Sequence, residues 1–441
     1  MLIFLYVFFL DYYDETPEEY NWTFYCILPN LSDAFKNFYF PILLANITAR
    51  LLSVLLDVLL ISKLHFNPPS KTSSSLKLNF YKAVPYLHHV IFIISGFWLL
   101  QSHLNNDSSQ VQILLWIILF FAASTNALFT FLRNVFHSRI FLITGLKGFF
   151  YSFQFLYIAL NEYQIHVGGY SENIKLRPLL MLIVMKSVAF FKDHEYSSSK
   201  TSKKMSFLNP FPLLFDSFAY ILHPSSIVLG VWHYSKTRPQ IVGSFKELFQ
   251  RTKFSFSKFL KAFFMTFISF LFSSCFIDYF EKNILASNSI EDFKNILKPI
   301  LPVLIQNILD ILFTAYLVAL KFHCSHFFIC FAAESMFTLW EIDLEVTKPA
   351  HILYPHSMVQ LVISWNIPMH LWLKRYVFKP LHEHLTTFLT ILSTYLISSY
   401  LHVSLFLFIF YLFLSIFIYF YLFLFIFIFF RDLIVKSGQY F

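Results

Sequence analysis

Charge is what this chain has least of: Asp, Glu, Lys and Arg make up 13% of its 441 residues, against 57% hydrophobic and 21% aromatic. With a mean hydropathy of +0.61, that deficit excludes an ordinary soluble domain and places the chain among polytopic membrane proteins. Cysteine is also sparse. Cys26, Cys275, Cys324 and Cys330 are too few, and sit in too apolar a context, for a disulfide framework. No basic leader precedes the apolar stretch Met1–Leu10, which is too short to span a bilayer and runs into Asp11, Asp14, Glu15, Glu18 and Glu19. It reads as neither a signal peptide nor a transmembrane helix. No internal repeat and no soluble-domain boundary stand out, which disfavours a transporter built from repeated hydropathy halves.

What is present follows the bilayer as solvent. Apolar stretches long enough to cross, each needing about 20 residues, lie near 37–62, 83–100, 111–132, 139–160, 176–191, 211–232, 259–279, 296–320 and 321–340. With the run from 385, they predict an all-α, multi-pass membrane helical bundle of about ten or eleven spans. The net charge of +8 does not mark a nucleic-acid binder, because the basic residues are confined to inter-span segments: Lys192, Lys200, Lys203 and Lys204 in a serine-rich linker, and Lys236, Arg238, Lys246, Arg251, Lys253, Lys258 and Lys261 in another. Basic loops beside spans are the orientation signal of an inserted protein, so both are assigned to the cytosolic side. There they meet anionic lipid or the phosphates of an acyl-CoA. Sequons at Asn21, Asn30 and Asn106 are too common as tripeptides to carry weight.

The chemistry concentrates between Ser364 and His402. The segment reads Trp365-Asn366-Ile367-Pro368-Met369, then Trp372-Leu373-Lys374-Arg375-Tyr376-Val377-Phe378-Lys379. It leads into an apolar run in which His402 is the only side chain that titrates near neutrality. An amide and an imidazole at membrane depth are expensive to desolvate, which points to function beyond packing. Imidazole suits a general base, worth about 100- to 10,000-fold. Asn366 reads two ways, as an amide donor to a developing oxyanion or as the cap of a helix that Ile367-Pro368 would start. Trp365, Trp372 and Tyr376 fall at i, i+7 and i+11, a helical stripe that lines a channel or, for Trp372, belongs to an interfacial aromatic belt. Lys374 and Arg375 are phosphate donors or a snorkelling pair at a helix end.

These elements resemble the Porcupine family of membrane-bound O-acyltransferases: its Trp-Asn-x-Pro-Met, Trp-Leu and Tyr-Val-Phe-Lys motifs, and its approach to Leu-Leu-His, here Ser398-Ser399-Tyr400-Leu401-His402. Trp340-Glu341, Val346-Thr347-Lys348-Pro349 and His356-Ser357-Met358 precede them in the family's order. Phe322-His323-Cys324-Ser325-His326-Phe327-Phe328 through Ala332-Ala333-Glu334-Ser335 resembles its preceding helix. Arg177, Met181, Met185 and Lys186 resemble its Gln-Met-Ile-x-x-Met-Lys element, and Gly230-Val231-Trp232 its Gly-Pro-Trp, with valine in place of the proline; Cys26-Ile27-Leu28-Pro29 fits its amino-terminal end. The resemblance covers roughly 24–402, between an acidic segment at 1–23 and a divergent tail at 403–441. It implies a multi-pass enzyme of the endoplasmic reticulum membrane that transfers palmitoleate from palmitoleoyl-CoA to a serine of a Wnt protein. His402 and Asn366 would be catalytic, and Trp365, Trp372, Tyr376, Lys374 and Arg375 substrate-binding. No permanently bound cofactor and no metal are implied. A sibling enzyme acylating another secreted peptide or a lipid alcohol, and an inactive scaffold or transporter, remain as alternatives.

Two other constellations are weaker. His323, His326 and Cys330 share a helical face, but Cys324 turns away, and zinc sites usually pair short-spaced ligands from separate segments. His223-Pro224-Ser225-Ser226 holds histidine and serine without an acid at readable spacing for a hydrolase triad.

After His402 the resemblance stops. From Leu405 to Phe430 the chain contains only Phe, Leu, Ile, Tyr and Ser415, with no Pro or Gly to divide it. Val403-Ser404 can be encoded GTA AGT, a splice-donor hexamer, and the codons of Phe, Leu, Ile and Tyr can be built from A and T alone; the tail therefore reads as translated intron. Transcript sequencing should find GTAAGT directly after the His402 codon, with a spliced form continuing into glycine and helices of mixed composition. A read-through transcript whose product is fully active would establish the tail as a genuine hydrophobic anchor.

Overall fold

The computed structural model describes residues 38–64, 75–103, 109–135, 176–200, 211–227, 230, 244–277 and 303–402. The acidic segment at 1–23, the expected span at 139–160 and the tail at 403–441 lie outside them. All regular elements among the described residues are helical. The chain divides into two units, one ending at Trp372 and the other starting at Leu373.

The first unit holds α1 (Phe40–Leu64), α2 (Ser75–His103), α3 (Ser109–Val135), α4 (Leu176–Lys200), α5 (Phe211–Ile221), α6 (Phe245–Leu271) with a π-helical turn at Phe272–Phe276, α7 (Val303–Leu339), and the short α8 (Pro349–Leu353), α9 (Met358–Trp365) and α10 (Ile367–Trp372). Among the described residues, four stretches are long and apolar enough to cross a membrane: Phe40–Leu59, Val84–Ser102, Phe245–Phe276 and Leu312–Leu339. Their outer faces expose large apolar side chains such as Leu51, Ile94 and Phe264, as helices do whose solvent is lipid rather than water. Helix α4 is different. Every residue from Leu179 to Phe191 is buried, Lys186 and Ser187 included, which makes it a helix enclosed all round at the centre of its neighbours; α3 and α5 pack against it.

Three expectations about spans are corrected. The stretches at 296–320 and 321–340 are not two passes: α7 is continuous over 37 residues, because Ala319-Leu320-Lys321-Phe322 contains no Pro or Gly to stop it. The stretch at 211–232 is not a span, since α5 has only 11 residues and ends in the turn that contains His223-Pro224. The basic segment before the expected span at 259–279 is not a loop from Phe245 onward, but the opening turns of α6. A helical run of 32 residues is about 48 Å long at about 1.5 Å per residue, against about 30 Å of hydrocarbon. The surplus length carries Lys246, Arg251, Lys253 and Lys258. Cys275 is disulfide-bonded, while Cys324 and Cys330 are free thiols.

The early end of α5 leaves backbone carbonyls without helical partners inside a bundle that offers them no water. Lys186 answers for them. It is fully buried, and its Nζ donates to the carbonyls of Tyr220 (3.1 Å) and Ile221 (2.8 Å) and to Ser226 Oγ (2.9 Å). The following turn is held from two sides. Asn46 on α1 donates to the Pro224 carbonyl at 3.1 Å and accepts from Trp340 Nε1 at 2.8 Å, while Phe92, His223 and Trp340 form a ring cluster with centroids 4.5–5.1 Å apart. On α2, a β-carbon at Gly96 would collide with the Leu222 carbonyl, so only glycine allows this approach.

Polar pairs tie the remaining helices. Asn126 on α3 donates to Ser187 on α4 and Ser217 on α5. His88 on α2 sits between Asp57 and Ser53 of α1, with Nε2–Oδ1 at 3.2 Å and Nδ1–Oγ at 3.0 Å. Asp216 on α5 faces His89 of α2 at 3.5 Å and His194 of α4 at 3.7 Å. Helix α7 closes with Glu341 at φ 58°, the Ile342 N–H bonding the Phe337 carbonyl and the Glu341 N–H that of Thr338. This is a Schellman closure with glutamate where glycine is usual. The Glu341 carboxylate pairs with Arg50.

The second unit comprises a π-helical turn at Leu373–Phe378, α11 (Lys379–His382) and α12 (Thr387–His402), which pack on one another.

Replacing Lys186 by methionine keeps the length of the side chain and removes the donors. Orphaned buried acceptors cost about 1–3 kcal/mol each, so Lys186→Met should destabilise the bundle by at least about 2 kcal/mol, seen as a lower melting temperature in detergent. An unchanged melting temperature would mean that the α5 carbonyls do not depend on it.

Candidate active site around the Trp365–Asn366 break

Helix α9 starts cleanly, with Ser357 Oγ accepting from the Gln360 N–H at 3.1 Å as an N-cap. It stops after Trp365, and Asn366 takes a non-helical φ of −144° and ψ of 87°. The backbone around this break is tightly held. The Ser364 carbonyl accepts from Lys348 N–H and Thr347 Oγ1, both at 3.1 Å, and the Ile367 N–H donates to the Val346 carbonyl at 3.0 Å. The extended segment before α8, with its Val346-Thr347-Lys348-Pro349 sequence, thus braces both sides of Asn366.

Asn366 caps α10. Its Oδ1 accepts from the Met369 N–H at 3.1 Å, and Pro368 in the first turn of α10 needs no partner for an N–H it lacks. The capping reading of Asn366 therefore describes its oxygen. Its Nδ2 has no protein acceptor among the described residues, and the side chain is only half-buried. The cap fixes the plane of the amide and leaves its donor end unengaged, so capping and oxyanion donation are compatible in one residue.

Trp365 is clasped by α7. Its ring stacks on His326 at 3.9 Å with planes 10° apart, and on Phe322 at 5.7 Å. His326 Nε2 also donates to the Trp365 carbonyl at 2.8 Å. Phe327, Phe331 and Ile352 form the apolar cluster beneath. Trp372 is buried, and its Nε1 donates to the Met185 carbonyl at 3.1 Å, which joins the Trp-Leu motif to the Met185-Lys186 motif across 187 residues.

The helical stripe expected for Trp365, Trp372 and Tyr376 is not formed. The break at Asn366 puts Trp365 on α9 and Trp372 on α10, while Tyr376 stands in the π-helical turn of the second unit. The i, i+7, i+11 register assumed one uninterrupted helix, which the Asn366 cap and Pro368 prevent. In the second unit Tyr376 is buried, Lys374 and Arg375 are exposed, and Arg375 lies 5.5 Å from the centre of the Tyr376 ring. His402 is the last residue of α12.

Among the described residues no group of three or more His, Cys, Asp or Glu side chains has a geometry that would hold a metal ion. In the His-Cys stretch of α7, Cys330 Sγ lies 3.3 Å from His326 Nε2, the nitrogen that also reaches Trp365. The His223–Ser225 contact, at 2.9 Å, belongs to the turn after α5. A separate cavity of about 300 Å³ lies between α6 and the end of α7, lined by Arg251, Phe254, Ser255, Lys258, Thr338, Glu341, Ile342 and Asp343. It does not include Asn366. Its charges are paired, Lys258 with Asp343 at 2.7 Å and Arg251 with Glu341 at 3.9 Å across the cavity and with Glu247 at 2.6 Å beside it.

Sequence reasoning missed the buried Asp57–His88–Ser53 group and the largely buried His89–Asp216–His194 group, although acids and imidazoles inside apolar stretches were signal enough to find them. Nothing in the local sequence announced the His326–Trp365 bond, which joins residues 39 apart.

The two roles of Asn366 separate by substitution. Asn366→Asp keeps an oxygen for the Met369 N–H and should preserve the melting temperature. Asn366→Ala removes the cap, at a cost of about 0.5–2 kcal/mol. Equal melting of all three proteins in detergent would show that α10 does not need the cap.

No protein-family model matches the chain. Curated proteins named protein-serine O-palmitoleoyltransferase porcupine do. The protein from Homo sapiens is 42% identical over 99 residues, covering 20% of this chain and 21% of the human protein. That from Anopheles gambiae is 37% identical over 105 residues, again 20% and 21%. The alignment with the Caenorhabditis briggsae protein is longer and more distant, 26% over 251 residues, 56% of this chain and 48% of the relative. The chain thus spans about a fifth of the length of the human and mosquito proteins and about half of the nematode one. Over those stretches the chain is similar to the porcupine proteins.

Proposed function

We propose that this chain is a protein-serine O-palmitoleoyltransferase of the membrane-bound O-acyltransferase type, transferring palmitoleate from palmitoleoyl-CoA to a serine of a Wnt protein at the endoplasmic reticulum membrane. Residues 24–402 would form its acyltransferase domain. The observation that carries this reading is the amide of Asn366, whose oxygen is bound by its own helix while its donor stays open. The names of the relatives support the acyl group and the class of acceptor.

In this reaction the serine Oγ attacks the thioester carbonyl, the C–S bond breaks, and CoA leaves as a thiol. His402 would take the hydroxyl proton and return it to the departing sulfur. Asn366 Nδ2 would donate to the oxyanion of the tetrahedral intermediate, and a donor already fixed in place needs no reorganisation at the moment of reaction. Trp365, Trp372 and Tyr376 would bound the acyl chain, and Lys374 and Arg375 would meet the phosphates of CoA.

The test offers membranes alkyne-tagged cis-unsaturated and saturated acyl-CoAs with Wnt-derived and unrelated secreted peptides. Labelling of the Wnt serine, preferring the monounsaturated chain, is expected. His402→Ala should abolish it while insertion and acyl-CoA binding persist, and Asn366→Asp should lower it by on the order of 100-fold at unchanged melting temperature. Labelling of a lipid alcohol or another peptide would make the chain a sibling enzyme. No labelling at all would favour a scaffold or transporter.

A further inference from the structure

His326 has two links to the same residue. Its ring lies flat on the Trp365 indole, 3.9 Å away, and its Nε2 donates to the Trp365 carbonyl at 2.8 Å. That carbonyl belongs to the peptide unit whose nitrogen is the backbone nitrogen of Asn366, so the bond fixes the plane from which the Asn366 side chain departs. It is also a carbonyl that the end of α9 leaves without a helical partner. Its neighbours are satisfied differently. The Ser364 and Asn366 carbonyls accept from backbone N–H groups or a nearby threonine, all supplied by residues 347–370. Only the Trp365 carbonyl, among these three, is held by a side chain from α7, which is buried from His326 to Ala333. Asn366 is therefore clamped at two points, by α7 through the peptide before it and by α10 through its own oxygen.

We propose that His326 is a positioning residue for Asn366, setting the direction in which the amide donor points. This rests on the reading of Asn366 as the oxyanion donor. The function is geometric. A donor displaced by about 1 Å from its target can lose about 100-fold in rate, whereas the ground-state fit of the acyl donor would hardly change. His326 is thus expected to act on kcat, not on KM.

His326→Phe retains a flat ring for the Trp365 stack and removes the donor. His326→Gln places an amide nitrogen close to the position of Nε2. The Phe variant should lose about 10- to 100-fold in kcat, with the KM for palmitoleoyl-CoA within about twofold and a lower melting temperature in detergent, since the Trp365 carbonyl loses its partner. The Gln variant should recover most of the rate. A cycle with Asn366→Asp separates this from a packing role: once the amide donor is gone, adding His326→Phe should cost little more, because residues acting as one unit are not additive. Wild-type kcat in His326→Phe, no recovery in His326→Gln, or full additivity in the cycle would each overturn the inference. If Asn366→Asp alone retains full activity, the failure lies with the reading of Asn366, and His326 has no donor to position.

Discussion

The hydrogen bonds from Lys186 to the last carbonyls of α5 are the constraint on which much of the first unit depends. A helix that stops inside an apolar bundle leaves acceptors that neither lipid nor packed side chains can satisfy. Three donors on one flexible side chain can serve two carbonyls and a hydroxyl at once. With the end of α5 closed in this way, the turn through His223 and Pro224 can be irregular. It then becomes the place where α1 delivers Asn46, α2 delivers Phe92 and Gly96, and α7 delivers Trp340. The residue before Lys186 contributes through its backbone, since the Met185 carbonyl receives the Trp372 indole. One turn of α4 therefore connects the bundle's internal helix end to the segment that carries Asn366.

Polar residues in the described spans follow a common logic. Asp57, His88, His89, Asp216 and Asn126 each face another helix. In lipid such contacts give helices a reason to adopt one register that apolar faces alone do not supply. Consecutive histidines on α2 point to different neighbours, His88 to α1 and His89 to α5, so a single helix fixes two others.

Hydropathy made the all-helical membrane class legible, and it located α1, α2 and the apolar half of α6 well. It failed where the bilayer argument depends on tertiary structure. Within 211–232 the His223-Pro224 pair marks where the helix stops, but the group that permits a stop inside an apolar bundle, Lys186, lies on another helix. Conversely, the length of α7 was hidden by the assumption that each span needs its own turn. In the site, the Trp-Asn-x-Pro-Met motif identified the right residues, and the Asn-Pro spacing already suggested a cap. The aromatic stripe was misread because that same cap interrupts the helix on which the stripe was counted. His326 was noticed as a would-be metal ligand and not as a partner of Trp365, since spacing within one helix says nothing of what lies opposite.

Glu341 sits at a φ where glycine would relieve a cost of about 1 kcal/mol or more. Glutamate and glycine codons differ by one base, so the relief is a single step away. What glycine cannot supply is a carboxylate for Arg50 and, at 3.9 Å, for Arg251. The torsion at the end of α7 is thus tied to a cation on α1. In lineages where Arg50 is lost, the carboxylate keeps its conformational penalty and loses its main partner, so positions 50 and 341 form a pair whose members should be inherited, or replaced, together.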